Sequence, residues 1–232
     1  MSNYSYIVAG CKFWSKQIYQ DVLQRLPGDW HFIGTKEQLT IDNIRNINPK
    51  YIFFLHWSWL VPEDIVNNVE CVCFHMTDVP YGRGGSPLQN LIIRGHRQTK
   101  LSALQMTNEF DAGPVYLKED LSLEGSAEEI YIRASYTAAD MIRKIVEEQP
   151  TPIPQEGEVV VFKRRKPSES EIPALGSLNE LHDFVRMLDA DGYPKAFITK
   201  NGFKFEFHRS TLRNGKIEAG VTITPTADDA IA

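Results

Sequence analysis

The chain is poor in cysteine, has no surplus of positive charge and lacks any long apolar run. Its three cysteines, Cys11, Cys71 and Cys73, are odd in number and partly clustered, which excludes a disulfide framework and suits a reducing compartment. Twenty-five Lys and Arg stand against thirty Asp and Glu, a formal charge of -5. Without a positive field to gather a polyanion, long nucleic acids are not expected as partners. The one basic run, Lys163-Arg164-Arg165-Lys166, reads as a solvated strand end. No window approaches the about 18 apolar residues that a membrane span needs, and residues 1–6 lack a basic stretch followed by an apolar one. Membrane insertion and secretion are therefore not expected, and the cytoplasm is the expected location.

What is present is ordinary for a globular protein: 42% hydrophobic and 24% charged residues in 232. That length accommodates one full domain and a smaller appendage. Apolar runs at residues 6–9, 31–33, 51–55, 70–74, 101–106 and 115–121 read as strands. Helical spacing appears at residues 15–26, 41–46 and 87–94, with Pro62 opening another helix at its first position. Ser126 and Glu129 form a capping box ahead of Ile130, Ala134, Ala138, Met141, Ile142 and Ile145, so a long helix ends near Gln149.

Strands alternating with helices predict an α/β, Rossmann-like fold: a mostly parallel sheet with helices on both faces, spanning residues 1–150. Pro150, Pro152 and Pro154 then mark a boundary, and residues 151–232 read as a small C-terminal α+β appendage. Within it, Asn201-Gly202 between two apolar runs predicts a hairpin.

Three chemistries can be weighed from the residues. Cys71, Cys73 and His75 alternate along one strand and so share a face, but no further Cys or His pair has metal spacing; no metal site is expected. A covalent mechanism has no Gly-x-Ser-x-Gly elbow or other nucleophile signature. Gly84-Gly85-Ser86-Pro87 at a helix start can receive a phosphate or carboxylate, or can simply permit the bend.

The informative constellation is His75, the loop Asp78-Val79-Pro80-Tyr81-Gly82-Arg83-Gly84-Gly85-Ser86-Pro87-Leu88-Gln89, and Asp111-Ala112-Gly113-Pro114 after the next strand. In order and spacing these residues resemble the folate-dependent formyltransferase family, over roughly residues 51–149. The resemblance implies a formyltransferase catalytic domain, N10-formyltetrahydrofolate as donor and His75 and Asp111 as catalytic residues. Cys73 stands where that family carries a catalytic Asn, and a water, a backbone N–H, Asn90 or Asn108 is the candidate replacement donor. Contacts to the pterin are expected from His56, Trp57, Trp59 and Leu60, and from Thr107, Asn108, Glu109 and Phe110. In the expected chemistry His75 bonds the oxyanion while Asp111 orients the imidazole and relays a proton.

For the acceptor, the 75–87 variant looks closest to the amino-sugar branch of the family. The implied substrate is a small molecule, a nucleotide-linked amino sugar, touched by Tyr81, Gly82, Arg83, Gly84, Ser86, Gln89 and Lys118. Arg83 is favoured for phosphate because its donors are paired. The alternatives are formylation of an aminoacyl group, on tRNA or in peptide-synthetase tailoring, and a folate or nucleotide binder without catalysis. A monomer or a homodimer is expected.

Overall fold

A computed structural model describes residues 4–226 as a mixed α/β fold on a mostly parallel sheet. Strand β1 (Ser5–Ala9) leads into α1 (Phe13–Asp21). Then follow β2 (Asp29–Ile33), α2 (Ile41–Ile47), β3 (Pro49–Phe54), α3 (Glu63–Val66) and β4 (Glu70–His75). Local chemistry sets the ends of α2: the Thr40 hydroxyl accepts from the Asn43 N–H, and Asn48 closes the helix in the left-handed region. The helix expected to begin on Pro62 is a single turn, with Pro62 at its N-cap in an extended conformation. Only Ile65 is buried there, too little apolar face to carry a longer helix.

After β4 the loop holds a strand that the sequence reading missed, β5 (Tyr81–Gly84), followed by α4 (Pro87–Ile93), β6 (Gln98–Gln105) and β7 (Val115–Ser122). Helix α5 (Ala127–Glu148) starts on the expected capping box: Ser126 N–H donates to Glu129 Oε2 at 2.7 Å, and Glu129 N–H to Ser126 Oγ at 3.3 Å. Strand β8 (Val160–Phe162) follows.

The six-stranded sheet runs β2-β1-β3-β4-β6-β7. β1 is parallel to β2 and β3, β3 to β4, whereas β4 and β6 are antiparallel. Ile7, Ala9, Ile52 and Phe54 pack with Ile44 of α2 and Ile65 of α3. The residues of opposite parity, Tyr6, Val8, Tyr51 and Phe53, are buried as well, so both faces are covered as a parallel sheet requires.

By contact the described chain forms two compact units. The first takes the residues up to Gly84, Thr99–Leu121 and Tyr131–Val161, and holds the body of the large sheet. The second takes Gly85–Gln98, Ser122–Ile130 and the chain from Phe162. Inside this second unit lie α6 (Leu178–Arg186) and an antiparallel sheet of β9 (Ala196–Lys200), β10 (Phe203–Arg213) and β11 (Lys216–Pro225). Asn201 and Gly202 turn the expected hairpin with φ of 51° and 78°. Asn214 and Gly215, at 50° and 69°, turn a second one whose identical dipeptide signal the sequence reading passed over. Buried Arg186 steadies this unit by donating to Leu123 O, Gly125 O and Asp183 Oδ1. Among the described residues no helix is long and apolar enough to cross a membrane.

Candidate active site

β4 carries His75 to the carboxyl end of the sheet, where sites of open α/β folds form. Its neighbour β6 ends at Gln105, and the chain then turns through residues 106–114. Gly113 makes that turn possible, since a Cβ there would sit 1.8 Å from Gln105 O. Asp111 lies in the turn with φ of 52°, a left-handed conformation that Asp tolerates better than most residues. In this way two residues far apart in the chain meet: His75 Nδ1 is 3.4 Å from Asp111 Oδ1.

The short strand β5 completes the arrangement. Gly82 O faces His75 Nε2 at 2.8 Å and also accepts from Thr77 Oγ1 at 3.3 Å. Gly84 N–H donates to Asp111 Oδ2 at 2.9 Å, so one carboxylate oxygen is fixed by backbone while the other faces the ring. Thr77 O in turn accepts from Ser102 Oγ at 2.7 Å, tying this loop to β6. His75 is 8% exposed. Each of its ring nitrogens faces an acceptor, and a neutral imidazole donates through only one of them. With Nε2–H given to Gly82 O, the Nδ1 lone pair faces the carboxylate, and a proton arriving there is held by both groups.

Cys73 lies two residues before His75 on the same strand. Burial, and then the nearby Asp111 carboxylate, push its thiol well above the ordinary range, so it stays protonated and is no nucleophile. Cys71 is pushed up to about 12 by burial and by Glu70. Among the described residues no group of three His, Cys, Asp or Glu side chains is placed to hold a metal ion.

One residue outside the expected set, Gln155, and one expected at the pterin, Glu109, also touch the corner. Gln155 donates to Asp111 O and Gly113 O, both at 2.8 Å, and accepts from Arg83 Nε at 3.0 Å. Glu109 lies 3.8 Å from Arg83 Nη1. Arg83 therefore braces the corner through polar partners. Lys118 donates to Asp78 Oδ1 at 2.5 Å and to Val79 O at 2.6 Å, on the loop leading to β5. Tyr81 is half-buried beside Gly82.

The residues expected to hold a pterin divide by environment. His56 packs edge-on against the rings of Trp14 and Tyr131, and its Nε2 meets Ser135 Oγ at 3.0 Å. Burial pushes its pKa down to about 4. Trp57 rests on the core cluster, as Cys73 and Met106 also do, and lies edge-on to Phe54 and Trp59. Trp59, Leu60 and Phe110 are exposed, as are Thr107, Asn108 and Glu109, with Thr107 Oγ1 donating to Glu109 O. A groove of about 480 Å³ is lined by Lys36, Glu37, Leu39, Trp59, Leu60 and Pro62. His75 and Asp111 do not line it.

Three expected residues belong to the second unit. Gln89 is buried and donates to Met187 O at 3.0 Å. Ser86 Oγ accepts from Arg165 N–H at 3.1 Å. Asn90 gives its amide hydrogens to Gly85 O, Ser86 O and Lys163 O, and its Oδ1 accepts from Arg94. That amide is occupied in closing the turn into α4, leaving no N–H for an oxyanion.

Comparison with known proteins now adds to the geometry. The solved structure of the methionyl-tRNA formyltransferase from Clostridium thermocellum superposes with a TM-score of 0.94 at 44% identity, covering 96% of this chain and all of that one. The chain belongs to the formyltransferase family. Residues 167–224 match the family model described as the methionyl-tRNA formyltransferase C-terminal domain. The methionyl-tRNA formyltransferase of Sinorhizobium medicae is 29% identical over 166 residues, 67% of this chain and 53% of that protein. The chain spans about half the length of the curated relatives it matches. A likely sugar N-formyltransferase from Mycobacterium tuberculosis shares the fold alone, with a TM-score of 0.67 at 16% identity over 85% of this chain and 92% of that one.

These findings overturn two expectations. A nucleotide-linked amino sugar as acceptor gives way, because the sugar-type neighbour is alike only in fold while the formyltransferase that is 44% identical is named for tRNA. The exclusion of nucleic acid falls with it. Net charge sums over the whole surface, and a charge of -5 does not bar local contact with one end of a polyanion.

Proposed function

We propose that this chain transfers a formyl group from N10-formyltetrahydrofolate to the amino group of methionine carried on tRNA. The observation that carries the reading is the His75–Asp111 pair, 3.4 Å apart and braced by Gly82 O and the Gly84 N–H. The chain's 44% identity to an enzyme of that name supports the choice of acceptor. A cytoplasmic location goes with it.

The amine nitrogen attacks the formyl carbon, and the new C–N bond leaves an oxyanion and an ammonium on one tetrahedral centre. The ammonium proton passes to the His75 Nδ1 and Asp111 Oδ1 pair. It then moves to the folate nitrogen as the old C–N bond breaks, so that nitrogen departs uncharged and no proton is gained or lost overall. Gly84 N–H keeps Asp111 turned toward the ring. Exposed Trp59, Leu60 and Phe110 offer flat apolar surface for the donor, with Thr107–Glu109 beside them.

The test is to incubate the purified chain with 10-formyltetrahydrofolate and charged methionyl-tRNA, hydrolyse the ester and follow the mass of methionine. Formylmethionine is expected; none from any charged tRNA would sink the acceptor assignment.

A second reading, a folate binder without turnover, is favoured by Cys73, whose protonated thiol is a poor substitute for an amide donor. Tight folate binding combined with no formyl transfer to any amine selects it.

A further inference from the structure

We infer that Gln155 is a positioning residue for the reacting carboxylate, an inference that rests on the formyl-transfer reading above. Gln155 lies in the proline-rich stretch after α5, 44 residues beyond Asp111 in the chain. Its single amide joins three groups. Nε2 donates to both Asp111 O and Gly113 O at 2.8 Å, and Oε1 accepts from Arg83 Nε at 3.0 Å.

The carbonyls it holds flank the residues that need holding. Asp111 sits at φ of 52°, and Gly113 fits only because it has no side chain against Gln105 O. A carboxylate on a left-handed backbone stays in place only if its surroundings over-determine it. Gly84 N–H fixes the carboxylate at its tip and Gln155 fixes it at its root. The Arg83 link ties the same amide to β5, whose Gly82 O meets the other nitrogen of the imidazole. One amide thus sets the relative placement of the turn that supplies the carboxylate and the strand that supplies the ring's second partner. Gln155 bonds the main-chain carbonyl of Asp111, so it acts through backbone.

A misplacement of about 1 Å can lower a rate by about 100-fold. Gln155→Met keeps the length and removes every hydrogen bond; Gln155→Glu keeps an acceptor for Arg83 and sets a carboxylate against the two carbonyls. Both are expected to lower kcat by about 10- to 100-fold with KM for donor and acceptor within about 3-fold, as expected when a group acts on geometry. The pH–rate profile should change as well, because moving the carboxylate changes what faces the His75 ring. Gln155→Asn, with the same amide on a shorter arm, should recover part of the loss. A purely structural role would instead lower the folded fraction, leaving the remaining enzyme with parental kcat and pH profile.

His75 ring titration followed by NMR provides a readout independent of turnover. A changed titration in Gln155→Met or Gln155→Glu supports positioning even if the parent transfers no formyl group to any amine, in which case only the functional reading fails. An unchanged titration, or kcat within about 2-fold of the parent per folded molecule, overturns the inference.

Discussion

Two histidines stand at the carboxyl ends of neighbouring parallel strands, His56 just after β3 and His75 as the last residue of β4, and they differ in what surrounds them. His56 meets rings, one hydroxyl and the Tyr131 backbone, and burial pushes its pKa down to about 4. His75 meets a carboxylate on one side and a carbonyl on the other. Position at a strand end is therefore shared, and the partners of the ring decide whether it can handle a proton.

The sharpest way to break this comparison is to remove each ring in turn. His75→Ala, or Asp111→Asn, should lower kcat/KM by about 1000-fold or more with the far-ultraviolet dichroism unchanged. His56→Gln should leave turnover within about 5-fold once the folded fraction is measured. Equal losses at the two sites would erase the distinction. Next in size is Gly113→Ala: its methyl would meet Gln105 O at 1.8 Å, and urea unfolding should show a loss of about 3 kcal/mol or more. A neutral result would mean the turn relaxes freely, and the placement of Asp111 would not depend on that close approach.

Acidity sharpens the comparison from the other side. His56 is pushed down to about 4 in the fold, against an ordinary value of 6.5. Between those values the unfolded chain binds a proton that the folded chain refuses. The stability this group supplies is whole above the unfolded value and is lost as pH falls toward 4, up to about 3 kcal/mol. Urea unfolding at pH 7.5 and pH 4.5 should show a smaller acid loss in His56→Gln than in the parent; equal losses would sink the assignment. The smallest effect is expected at Lys118, whose ion pair with Asp78 is partly exposed. Lys118→Met should change stability by less than about 1 kcal/mol. A raised acceptor KM in that variant would show that Lys118 leaves Asp78 for the substrate.

Local elements of both units were legible. The run Tyr6 to Ala9, the Ser126–Glu129 capping box and the Asn201-Gly202 turn are local patterns whose physics is complete within a few residues. Strand β5 was hidden because Tyr81-Gly82-Arg83-Gly84 has turn composition and is held by chain from elsewhere, including the Val160 N–H on Pro80 O. The second hairpin was legible in Asn214-Gly215, but the exposed, polar-alternating β11 offers little apolar signal. Gln155 had no signal, since an amide in a proline-rich stretch looks like any solvated linker residue. The acceptor was misread because the 75–87 loop was matched to one branch of the family, and because overall charge was given weight that only a local surface can bear.

The sequence by itself determined the alternation of strands and helices and the turn dipeptides, because periodicity, caps and turns are decided by near neighbours; only the resemblance to a family linked His75 with the Asp111-Ala112-Gly113 corner. Only the tertiary structure decided which acceptors face each nitrogen of His75, which backbone groups hold Asp111, and that His56 is packed among rings. Those contacts depend on strand order and on loops that meet from tens of residues apart, and hydrogen bonds form according to distance and angle in space, which spacing along the chain does not encode.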